Sequence, residues 1–256
     1  MTWGPSAATL TLLEKLAVDN GFDRELPREG EWLAFASTRC PLRIWLSTSG
    51  EELFLVALSQ GNVAMALDTG TAATSSLPAG AVAARAVTSL SALHRLVRRA
   101  FQLSKTLPHE LLHTFEKQTA TLPRSTEAER VVVQRVGQDI FRAGLLEYWE
   151  GRCAVTGLVV PELLRASHIK PWADCAGDAE RLDVFNGLLL APHLDAAFDC
   201  GFITVADDGA VVVSDRLGET ARHILGLASP QFVTALAPGH RAYLPWHRER
   251  VFGRRG

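Results

Sequence analysis

Cysteine is scarce in this chain and never paired. The four cysteines, at positions 40, 153, 175 and 200, stand apart among 256 residues with no CxxC motif. That excludes a disulfide-stapled scaffold, gives no reason to expect structural zinc on paired thiols, and fits a reduced, cytoplasmic setting. Long apolar runs are missing too, since charges or Gly/Pro interrupt every candidate, so no membrane span is expected. The opening MTWGPS lacks the basic-then-apolar layout of a secretory signal. A large charge of one sign is also absent: the formal net charge is −2, which argues against a uniformly basic nucleic-acid binder but not against local patches. There is no internal repeat and no low-complexity tract. What remains is a chain long enough for one large domain or two modest ones, each with a real core.

The positive charge is clumped. One clump is HRLVRRAFQLSK (94–105); the other is the tail HRAYLPWHRERVFGRR (240–255), with five arginines against one glutamate. Residues 90–103 read as an amphipathic helix with Leu93, Leu96, Val97, Ala100 and Phe101 on one side. Arg95, Arg98, Arg99 and Lys105 lie mostly off that stripe. Such clusters can contact phosphates, and solvated helix faces and loose tails carry the same composition.

Up to about residue 120 the pattern is mixed α and β. TLTLLEKLAV (9–18) has helical apolar spacing and DNGFD breaks it. WLAFA (32–36), LRIWLS (42–47) and LFLVAL (53–58) are short strand-like runs between turns; Trp32, Trp45 and Phe54 in them are either core or the lining of a base pocket. Residues 71–80 read as a loop. The polar, proline-containing stretch at 121–135 reads as an inter-domain linker, with a capping box at Thr126 and Glu129. Ile140, Phe141, Leu145, Tyr148 and Trp149 then recur at helical spacing as far as Gly151. The expectation is an α+β protein: a mixed N-terminal domain over 1–120 for recognition or regulation, a linker over 121–135, and a second domain over 136–256.

That second domain changes character. RCAVTG (152–157) reads as strand into turn, ASHIK (166–170) as a short strand, and residues 171–183 as an irregular connection. FNGLLLA (185–191) is an apolar strand. Pro192 suits the first position of the helix HLDAAFDC, and Gly201 its end. A hairpin with an Asp-Gly turn follows over 202–214.

Two sites compete for chemistry. HELLH (109–113) matches HExxH, which on a helix sets two imidazoles toward one zinc with Glu110 as base. His109 falls in the first turn of a short helix between prolines, and no third ligand follows at the family spacing, so a zinc peptidase is the lesser alternative. The other site is His168 at a strand end, Asn186 at the opening of the next strand, and His193 in the first turn of the following helix. Taken singly, each is an ordinary structural residue; their order is what singles them out.

RCAVTG, ASHIKPW, FNGLLL and HLDAAFDCG together resemble the HNH endonuclease domain, the ββα-metal nuclease motif, in a bacterial subgroup attached to restriction or defence proteins. The resemblance spans roughly residues 130–252. It implies a metal-dependent DNA endonuclease leaving 5′-phosphate and 3′-hydroxyl ends, with His168 as general base, Asn186 pinning the loop that orients it, and His193 ligating Mg²⁺ or Mn²⁺. Many such domains carry Asp or His just before the base. Here Ser167 stands there, a poor ligand, so Asp199, Asp195 or the Asn186 carbonyl is expected to complete the shell. The resemblance further implies double-stranded DNA as partner, phosphate contacts from Arg95, Arg98, Arg99, Lys170, Arg248 and Arg250, and a homodimer for a double-strand cut. A non-cleaving DNA-binding protein with a degenerate HNH fold is the alternative.

Overall fold

The computed structural model describes residues 6–50, 52–67, 69–73, 76–123 and 125–252. Met1 to Pro5 at the amino end lie outside the described residues, as do Arg254 and Arg255 of the basic tail. Two compact units form, Met1–Leu107 and Pro108–Gly256. The division falls ahead of the stretch read as a linker, and by residue 127 that stretch is already helical.

In the first unit, helix α1 (Ala7–Asp19) starts where the Ser6 hydroxyl accepts the Thr9 N–H and buries Leu13, Leu16 and Ala17. It is followed by β1 (Arg24–Glu29), β2 (Trp32–Ala36), β3 (Arg43–Ser49), β4 (Leu53–Leu58), α2 (Gly61–Ala66), β5 (Thr71–Ala72), β6 (Ala83–Val87) and α3 (Leu90–Thr106). The strands make one antiparallel sheet in the order β1-β2-β3-β4-β6-β5. Helix α3 packs on α2, β4 and β6 and buries the stripe read from its spacing, Leu93, Leu96, Val97, Ala100 and Phe101. β1 and β6 were not anticipated, and β5 falls inside an expected loop. RELPRE is a polar edge strand carrying a proline, which the apolar alternation of central strands does not reveal. AARAV has a charged centre, and Arg85 there donates to the Ala64 carbonyl at 2.6 Å.

The second unit begins with α4 (Pro108–Thr119) and the long α5 (Glu127–Tyr148). The capping box at Thr126 is made: its hydroxyl accepts the Glu129 N–H at 3.2 Å and the Glu129 carboxylate accepts the Thr126 N–H at 2.9 Å. Next come β7 (Arg165–His168), α6 (Asp178–Arg181), β8 (Gly187–Leu190), α7 (Pro192–Asp199), β9 (Ile203–Val205), β10 (Val211–Val213), α8 (Glu219–Ile224), α9 (Leu244–His247) and a π turn at Arg248–Phe252. Pro192 opens α7, and Gly201, at φ 67°, follows its end as the sequence pattern predicts. Residues 152–157 are turn rather than strand. The buried Cys153 sulfur accepts the N–H groups of Thr156 and Ala191 at 3.4 and 3.3 Å, satisfying donors that a strand partner would otherwise take. Among the described residues no helix is long and apolar enough to cross a membrane. The fold is α+β, with antiparallel sheets throughout.

Candidate active site

β7 and β8 pair antiparallel with His168 opposite Gly187 and Ser167 opposite Leu188. Alternation sends their side chains to two faces. His168 meets α5, its ring stacked on Phe141 at 3.8 Å, while Ser167 meets α7, its hydroxyl 3.4 Å from the Asp199 carboxylate. Gly187 is required under that stack. A methyl group there would come within 2.5 Å of the Phe141 ring and 2.8 Å of Leu145, both buried.

The His168 ring has a second aromatic neighbour, the Trp172 edge at 5.8 Å. Its Nε2 lies 2.9 Å from the Arg181 carbonyl oxygen. A carbonyl only accepts, so Nε2 carries the hydrogen and Nδ1 the lone pair. Burial pushes the imidazole below its ordinary pKa, and the Arg181 carbonyl partly opposes this. The ring is therefore neutral at pH 7, with one basic nitrogen and a fixed tautomer.

Asn186 is fully buried and does not touch that ring. Its Oδ1 accepts the Lys170 N–H at 2.8 Å; its Nδ2 donates to the Lys170 and Glu180 carbonyls, each at 3.1 Å. Those bonds close the loop between the strands and fix the segment whose next carbonyl, that of Arg181, holds His168. The asparagine acts on the base through the backbone.

On α7, Asp195 and Asp199 are four residues apart and share a helix face. With Ser167, His168, Arg165, Trp172 and His247 they line a cavity of about 360 Å³. The Ser167 hydroxyl donates to the Asp199 carboxylate at 3.4 Å and favours the charged form of Asp195 beside it. Burial, followed by the charge of Asp195, pushes the Asp199 carboxyl up to about 6, although part of its side chain reaches solvent. Two mutually repelling carboxylates beside a hydroxyl form a hard-oxygen donor set, which fits Mg²⁺ or Mn²⁺ and not a thiol-bound zinc. Among the described residues no three His, Cys, Asp or Glu side chains gather as a ligand set. Two carboxylates, with water and substrate phosphate taking the other positions, are enough for a Mg²⁺ site.

His193, two residues before Asp195, is about 200° away around the helix. Its side chain is exposed and does not line the cavity. Of the expected DNA contacts in this unit, Lys170 pairs with Glu180 at 2.7 Å, and Arg248 holds the Val205 carbonyl and Asp207, each at 2.9 Å. Arg250 is exposed and lines a cavity of about 590 Å³ with Lys170, Asp199 and Trp246. In the first unit Arg95 and Arg98 are exposed and Arg99 half-buried. Trp45 is core, its indole N–H donating to Glu29 at 3.1 Å. Trp32 lines a separate hydroxyl-rich cavity of about 680 Å³. His109 and His113 are exposed on α4.

His247 has a structural part that the sequence reading passed over. It is 1% exposed, stacks on Phe198 at 3.6 Å, donates from Nε2 to the Phe198 carbonyl, and meets the Thr204 hydroxyl through Nδ1. Burial pushes its pKa down to about 4. Nothing in WHRER distinguishes a buried strap from a solvated tail. Asp195, by contrast, is named by the sequence reading, beside Asp199, as a residue to complete the shell.

Residues 153–206 match the family model described as HNH endonuclease. No curated protein matches the chain. The matched segment runs from the Cys153 turn through β7, β8 and α7 to the end of β9, and so contains His168, Asn186 and the two aspartates. The C-terminal half of the chain therefore carries a segment similar to the HNH endonuclease family, over residues 153–206.

Proposed function

We propose that the chain is a divalent-metal-dependent DNA endonuclease whose centre is His168, Asp195, Asp199 and Ser167. The carrying observation is that His168, whose imidazole is neutral with a fixed tautomer, lines one cavity together with Asp195 and Asp199. His168 Nδ1 takes the proton of the attacking water, and the Nε2–H bond to the Arg181 carbonyl steadies the imidazolium that results. Asp195 and Asp199 would hold the cation, with the Ser167 hydroxyl bonded to Asp199. When bound, the metal supplies charge compensation to the phosphate and the departing 3′ oxygen. Asn186 is a positioning residue. His193, facing away from the cavity, is not needed as a ligand in this arrangement.

The first unit is the candidate for DNA recognition, with Arg95 and Arg98 exposed and a polar cavity beside Trp32. The resemblance to defence-associated nucleases supports a restriction or anti-phage role in the cytoplasm, and a double-strand cut supports a homodimer. Supercoiled plasmid incubated with the protein tests the reading. Nicking with Mg²⁺ or Mn²⁺, blocked by EDTA and lost in His168→Ala and Asp199→Asn, is expected. Intact plasmid across unmodified, methylated and hydroxymethylated substrates would overturn it in favour of a non-cleaving DNA binder.

A further inference from the structure

Three cavities of the second unit share walls and form one groove. The first, about 380 Å³, is lined by Gln138, Asp139, Phe141, Arg142, Arg165, Ala166 and His168. It shares Arg165, Ala166 and His168 with the cavity of the two aspartates, which in turn shares Pro171, Asp199 and Val251 with the one beside Arg250. The candidate base and carboxylates thus lie midway along a trough, with cationic side chains toward both ends.

Of the four lysines and arginines lining the groove, Arg142 and Lys170 are committed, and Arg250 is exposed beside the far cavity. Arg142 donates to the Leu164 and Pro161 carbonyls at 2.6 and 2.9 Å, and Lys170 is paired with Glu180. The Arg165 guanidinium is different: it is exposed, lines both the first and the central cavity, and makes no side-chain hydrogen bond among the described residues. It lies close enough to Asp195 to favour that carboxyl's charged form. Three residues of strand set its Cα about 10 Å from that of His168. By strand alternation Arg165 shares the Ser167 face, beside Asp195. Asp139 lines the first cavity and repels an anion there, whereas Arg165 belongs to both cavities and supplies positive charge at the wall they share.

We propose that Arg165 holds a backbone phosphate of the strand being cut, adjacent to the scissile one, and so sets which linkage faces His168. The proposal rests on the nuclease reading of this site. A planar guanidinium can hold two phosphate oxygens at once, a geometry that a lysine ammonium does not reproduce.

The test uses full-length protein carrying Arg165→Gln or Arg165→Lys. Plasmid nicking is measured in Mg²⁺, and binding of a short labelled duplex in Ca²⁺ is followed by anisotropy across a salt series. In Arg165→Gln, kcat/KM is expected to fall about tenfold, mostly through KM, and the slope of log affinity against log salt to shrink by about one. Arg165→Lys is expected to recover the salt slope but only part of kcat/KM. Melting temperature is expected to stay near the wild-type value, because the exposed side chain makes no hydrogen bond among the described residues. An Arg165→Gln protein with the wild-type salt slope overturns the proposal, as does one whose loss of binding follows a loss of melting temperature. If wild-type protein binds the duplex but nicks nothing, the nuclease reading fails, and the salt slope still decides the phosphate contact.

Discussion

His168 is suited to be a base because of what surrounds its ring. Phe141 and Trp172 exclude water from it, the Arg181 carbonyl fixes its tautomer, and burial keeps it neutral at pH 7. Asp199 shows the reverse effect. Its raised pKa means that the folded, metal-free protein holds its proton up to about pH 6, where the unfolded chain has released it above the ordinary 3.8. The sign follows: this carboxyl does not cost stability below pH 3.8 and lowers it increasingly as pH rises through 6. Asp199→Asn should therefore melt higher than wild type at pH 8 in EDTA and alike at pH 3.5, while losing plasmid cleavage. Equal melting at both pH values would show that the carboxylate is not strained. Added Mg²⁺ should raise the wild-type melting temperature and leave that of Asp199→Asn unchanged, since only a bound cation stabilises the folded state.

At the scale of elements, the hairpin β7/β8 and helix α7 were legible because their sequences are consistent at every level. Apolar runs of strand length stand beside a proline that can only begin a helix and a glycine suited to end it. β1 and β6 were not, since polar edge strands and an alanine-arginine strand carry no period that survives reading alone. The same limit applied to the tail. Its arginines suggested phosphate contacts, yet Arg241 and Arg248 hold carbonyl and carboxylate oxygens of residues 205–207, and His247 is bonded on both nitrogens. That histidine gives a pH dependence of stability. Its folded pKa of about 4 lies below the unfolded 6.5, so its contribution is complete above pH 6.5 and is lost as pH falls toward 4. Across that window it amounts to up to about 3 kcal/mol, and His247→Gln should remove most of the slope in urea midpoints measured from pH 7 to 4. Gly187→Ala tests the other support: the displaced Phe141 should cost about 1–3 kcal/mol and lower nicking more than binding, because the base shifts with the ring.

For the whole molecule, every residue of the candidate centre belongs to the second unit, and the polar cavity beside Trp32 to the first. The candidate centre could be singled out from the sequence because His168, Asn186 and the aspartates fall within about thirty residues, a separation over which strand and helix periods bear on relative faces. It could not show which cations are free, since Arg165 and Arg142 look alike until carbonyl partners are visible. If two centres are needed for a double-strand break, nicked circles should accumulate first and linear DNA should rise more steeply than linearly with protein concentration. A linear product proportional to enzyme at all concentrations would argue for one centre acting alone. The wall of the central cavity also includes His247 and Val251, which come long after Asp199 in the chain. During synthesis the N-terminal parts emerge first. The base and both carboxylates are therefore on a nascent chain whose cavity is still missing one side, and a cell making the protein meets the closed centre only after residue 251 has left the ribosome.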